Sequence, residues 1–136
     1  MRRLFRLSFL ILLTVAGAWT FSDLSVDAAQ TTQSFDGEYQ WSQGGDGALE
    51  AEFRPDGEDQ WKIKFRFKFS SRDYTWKGTA EGSLEDGSPV TGTAKGGGGR
   101  TWEFEGTVQD GVMIAKHAEK RGGSLQQTGS FKISRR

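Results

Sequence analysis

The chain has 136 residues, no cysteine, and 18 basic against 18 acidic residues. That length fits one domain, the missing cysteine excludes a disulfide framework, cysteine-ligated zinc and a cysteine nucleophile, and zero net charge offers no bulk electrostatic case for nucleic acid. An aromatic share of 12% argues against a disordered chain.

The first segment reads as an address. Arg2, Arg3 and Arg6 precede an apolar run from Leu7 to Ala18. The run is shorter than the ~20 residues of a comfortable span and suits a secretory signal peptide. Ala16-Gly17-Ala18 and Val26-Asp27-Ala28 are the cleavage-like sites. The second predicts a leader over 1–29, a short lead-in over 30–36 and one domain over 37–134. The expected location is therefore secreted or periplasmic, with no stable membrane span after cleavage. A domain of roughly 100 residues without disulfides must then rely on its core.

The domain is predicted to be all-β, an antiparallel up-and-down meander of about eight strands. Trp61-Lys62-Ile63-Lys64-Phe65-Arg66-Phe67-Lys68-Phe69 alternates strictly, which gives a strand one buried and one wet face. Asp-Gly pairs at 36–37, 46–47, 56–57, 86–87 and 110–111 mark turns, because such turns need positive φ. The strands fall near 37–43, 48–54, 60–69, 74–84, 89–95, 100–109, 112–119 and 127–134. Pairing Phe53 with Trp61, Phe69 with Tyr74, and Ala94 with Trp102 sets apolar residues against apolar ones. It also sets Lys62 between Glu52 and Glu81, which neutralises the basic row of the third strand. Large side chains repeatedly face Gly78, Gly82 or Gly92, as in the filled interior of a small barrel. Closure into a β-barrel removes the sheet edges; a β-sandwich is the alternative.

The segment Gly37–Phe53, GEYQWSQGGDGALEAEF, resembles the opening hairpin of avidin-like and lipocalin-like (calycin) secreted barrels. The resemblance implies a barrel that binds a small molecule inside. Tyr39 stands where those families place Trp, with Trp41 two residues on, and the chain contains no Asn. Architecture carries over; a particular ligand does not.

An eight-stranded barrel is just wide enough to be filled by side chains or to hold one small ligand. The candidate ligand-binding residues are Phe67, Tyr74, Trp76, Trp102, Phe104, His117 and Glu119. Phe67, Tyr74 and Trp76, together with Phe69, gather aromatic surface at one end, and a pocket is typically apolar with a few polar groups. His117 is the only histidine. A two-residue turn at Asp110-Gly111 turns it inward beside Glu119, whereas a bulged three-residue loop turns Val112, Ile114, Lys116 and Ala118 inward. Apart from Lys116 the second set is the more apolar, so His117 is expected outside. No catalytic motif is present, so no catalytic residue, cofactor or metal is expected, and the partner is a small apolar ligand. A non-enzymatic interaction module with a filled core is the alternative.

Overall fold

The computed structural model describes residues 31–136; the expected leader lies outside them. The expectation of an all-β meander holds. Strands β1 (Gln33–Trp41), β2 (Asp46–Pro55), β3 (Gln60–Phe69), β4 (Arg72–Glu81), β5 (Pro89–Lys95), β6 (Thr101–Gln109), β7 (Val112–Arg121) and β8 (Ser124–Arg135) follow one another. Each pairs with its neighbour, and β1 pairs antiparallel with β8, so the sheet is a closed barrel. No helix among the described residues is long and apolar enough to cross a membrane.

Three local expectations are corrected. First, β1 begins at Gln33 rather than 37, and Phe35 of the expected lead-in is fully buried. Asp36-Gly37 and Asp46-Gly47 lie inside strands rather than turns. At Gly37 a Cβ would sit 2.0 Å from the Lys132 carbonyl oxygen. Glycine there serves strand approach, not turning.

Second, β3 slips by two residues against both neighbours. Phe53 faces Ile63, with Pro55 opposite Trp61, and Phe69 faces Arg72, with Phe67 opposite Tyr74. A shift of two keeps every side chain on its face, so the core is as expected while the outer charge pairs change. Glu50 faces Arg66, Glu52 faces Lys64, and Lys62 lies between Arg54 and Thr79. Lys64, Lys77 and Lys95 now stand in one cross-strand row. The expected register from β5 to β6 is kept, with Gly92 opposite Phe104 and Ala94 opposite Trp102.

Third, Asp110 (φ 52°) and Gly111 (φ 74°) form a two-residue turn that pairs Gln109 with Val112. Both φ values are positive, as a primed hairpin turn requires. This register turns His117 inward and leaves Ile114 outside at 56% exposure. Met113 and Ala115, rather than Val112 and Ile114, fill the core.

The two ends of the barrel differ. At one end Phe35, Phe53, Val90, Val108, Met113 and Ile133 are completely buried. Leu84, from the connection 82–88, folds over them and is 4% exposed. Trp61 Nε1 donates to the Gly82 carbonyl at 2.9 Å, and Arg135 Nη2 donates to that of Leu84. The three connections at this plugged end carry Asp56, Glu58, Asp59, Glu85, Asp86 and Asp110, and no Lys or Arg. The opposite end is open and carries Lys68, Arg72, Lys95, Arg100, Lys120 and Arg121 against Asp46, Asp73 and Glu119 at its strand ends and loops.

Candidate functional site: the aromatic mouth

Inward-facing positions near the open end are aromatic on four strands, β1, β3, β4 and β6. Trp76 stacks on Trp102 with ring centres 4.6 Å apart and planes at 18°. Trp41 closes the group at 5.1 Å from Trp102 and 6.5 Å from Trp76. Phe67 meets Trp76 edge-on at 4.8 Å and stacks with Tyr74 at 5.5 Å. Phe69, 41% exposed, stands outside Trp41 at 6.1 Å. Such offset and edge contacts are each worth ~0.5–1.5 kcal/mol beyond area burial. Together these rings wall a basin of about 320 Å³ whose polar members include Arg100, Glu119, Arg121, Gln126, Gln127 and Thr128.

Below the basin the barrel is nearly full. The space between Leu49, Phe65, Phe104, His117 and Phe131, beneath the Trp41, Phe67, Trp76 and Trp102 rings it shares with the basin, is about 50 Å³. A cavity of ~150 Å³ is what a benzene ring needs, so a ligand of ring size fits the basin and not the interior.

Phe67, Tyr74, Trp76, Trp102 and Glu119 of the sequence-derived candidates come together in the basin. Phe104 and His117 lie deeper, along the small cavity. Phe69, expected at the aromatic end, also belongs to the basin; Trp41, Arg100 and Arg121 belong to it and were not anticipated. Trp41 was accessible in principle, since it shares the parity of Tyr39. Arg121 likewise shares that of Glu119.

Glu119 is the one buried charged side chain among the described residues, at 4% exposure. Burial of a carboxylate demands partners. Arg121 supplies them through Nε at 2.8 Å and Nη2 at 2.5 Å, and Arg100 Nε stands 3.7 Å away. His117 does not reach Glu119 for a hydrogen bond. Its Nδ1 lies 2.7 Å from the Thr128 hydroxyl, which also donates to the His117 carbonyl at 3.1 Å. Thr128 is the extra residue of a β-bulge, because His117 pairs with Gly129 and Ala118 with Gln127. The ring of His117 sits 5.0 Å from that of Trp41 and 5.9 Å from that of Trp102. A Cβ on Gly129 would come 2.9 Å from its Cε1, so glycine leaves room for the ring. The inward histidine therefore has no carboxylate relay, and the arrangement offers no acid–base pair.

Burial pushes the His117 pKa below its ordinary 6.5, opposed by the carbonyls of Gln40 and Ser130, which favour the charged ring. The folded state then binds a proton less readily than the unfolded chain. Stability is complete above about 6.5 and is lost as pH falls below it toward the folded value. Urea midpoints should thus decline from about pH 7 to pH 5, and His117→Gln should flatten the decline. Asp36 is held below 3.8 by its bond to Arg136, so its own loss falls at lower pH. An equal slope in His117→Gln would assign the effect elsewhere.

Comparison with family models, with curated proteins and with solved structures returned no match.

Proposed function

We propose that this protein is an exported, non-enzymatic barrel that binds a small, flat, mainly apolar ligand in its aromatic mouth. One observation carries the reading: tryptophan and phenylalanine rings line an open basin of about 320 Å³ at one end of a barrel whose other end is sealed. That volume lies at the lower edge of ligand-site sizes, ~300–1,000 Å³. Export is supported by the basic and apolar opening of the chain. The calycin likeness is supported by the up-and-down closure with a single open end.

Titration with the neutral fluorophore N-phenyl-1-naphthylamine tests the site. Saturable enhancement with one molecule per chain is expected. Trp76→Ala removes the outer half of the Trp76–Trp102 stack and should weaken binding about tenfold, which is ~1.4 kcal/mol. A linear, unsaturable response overturns the reading. It would favour the second one, a module that binds a protein partner through its rim. That alternative draws on the nearly full interior and on Phe69 and Leu125, which are 41% and 55% exposed.

A further inference from the structure

We propose that the ligand of the mouth is anionic, a carboxylate on a planar aromatic body, with its oxygens directed to Trp102 and the Arg100–Arg121 pair. This rests on the reading of the mouth as a ligand site. The first observation is an unspent donor. Trp102 Nε1 is buried and has no hydrogen-bond partner in the protein, whereas the Trp41 indole is shared with the Tyr39 side chain. Trp102 is 5% exposed, and both indoles line the basin. An indole N–H can only donate, and a buried donor without an acceptor is costly. The barrel does satisfy such a group where no ligand is expected, since Trp61 at the plugged end donates to Gly82. The donor left over is that of Trp102 at the mouth, and an oxygen acceptor answers it.

The second observation is charge. Glu119 is the basin's only carboxylate, and both its neighbours are guanidinium groups, Arg121 in contact and Arg100 at 3.7 Å. Two cations against one anion leave a positive surplus at the rim. Arg100 and Arg121 are 63% and 58% exposed along their side chains, so their remaining N–H groups can reach a ligand. The planar guanidinium matches a carboxylate with two parallel hydrogen bonds. The acidic connections lie at the far end of the barrel, so the field along its axis also draws an anion to the mouth.

An aromatic box also suits an ammonium group. The guanidinium pair repels a cation, and an ammonium group has no acceptor for the Trp102 indole. The third possibility, a neutral ring, leaves that donor unpaired. The body of the ligand is flat because it meets stacked rings, Trp76 on Trp102 and Phe67 on Tyr74.

Three probes of one shape separate these cases: naphthalene-2-carboxylate, 2-naphthylmethanol and 2-naphthylmethylammonium. Each is titrated into the full-length chain carrying ¹⁵N-labelled tryptophan, and the indole N–H signals are followed. The carboxylate should bind at least ~10-fold tighter than the alcohol, and the ammonium weakest. The Trp102 signal should move downfield with the carboxylate, while that of Trp61 stays in place. Arg100→Gln should remove the preference for the carboxylate over the alcohol. Equal affinities, a preference for ammonium, or an unmoved Trp102 signal overturn the anionic assignment and leave the mouth as a site for another ligand. If none of the three binds, the mouth reading and this assignment fall together.

Discussion

Gly78→Ala should lower stability by about 3 kcal/mol, which is ~15 °C in Tm for a domain of this size. A Cβ at this position would lie 1.7 Å from the Thr93 carbonyl oxygen and 2.7 Å from the Ala94 Cα. Both are backbone atoms of β5, so relief requires the two strands to separate. Gly92→Ala should cost less, about 1–2 kcal/mol. Its Cβ would first meet the Phe104 ring, at 2.3 Å from Cε1, and a ring can turn. Phe104→Leu should therefore be less harmful in the Gly92→Ala background than alone, a coupling of at least ~0.5 kcal/mol. Thermal melts of the four proteins check this. A wild-type Tm for Gly78→Ala would mean that β4 and β5 do not approach so closely.

Phe53→Ala should cost about 3–5 kcal/mol and leave the mouth intact. Phe53 is completely buried and packs edge-on against Phe35, Phe65 and Trp61 at 5.4, 6.3 and 6.4 Å. Its removal leaves a hole in the best-packed part of the barrel, and surrounding strands held by hydrogen bonds on both sides cannot collapse into it. The urea midpoint should drop with little change of slope. Affinity for N-phenyl-1-naphthylamine, measured where the variant is still folded, should match the parent because Phe53 lines neither the basin nor the cavity below it. A parallel loss of affinity would show that the plugged end shapes the mouth.

These variants probe parts of the molecule that differ in how far the sequence disclosed them. The alternation of Trp61 through Phe69 left one choice of face, and the barrel followed from eight such segments with short connections. Register was less visible, since a shift of two residues satisfies the same pattern. The β3–β4 turn is Ser70-Ser71, both at positive φ, and serine carries none of the turn signature that glycine or asparagine would. Hence the expected pairing of Phe69 with Tyr74 gave way to Phe69 with Arg72. At Asp110-Gly111 the signature was present, but the apolar look of Ile114 and Ala118 pointed to a longer loop. Turn geometry prevailed, placing an apolar residue in water and His117 and Glu119 inside. Glu119 is tolerated there because Arg121, two residues on, lies on the same face. The aromatic cluster was legible as composition at one end of the strands; its completion by Trp41 was not, because β1 lies far from the other members in sequence.

The pairing of β1 with β8 has a kinetic side. Seven of the eight strand pairs join neighbours along the chain, whereas this seam brings together positions as distant as Asp36 and Arg136, one hundred apart. Hairpins can zip early, but the seam has to wait for the whole curved sheet, and its closure carries the largest loop entropy. Until then both outer strands present unpaired edges to other molecules. The last rung at the open end is Trp41 with Gly129, and that rung delivers Trp41 to Trp102 and His117. The mouth is thus assembled only when the ring shuts. A ligand held there would act as a clasp on the seam, favouring the closed sheet over the open one by mass action and shielding the edges that invite aggregation.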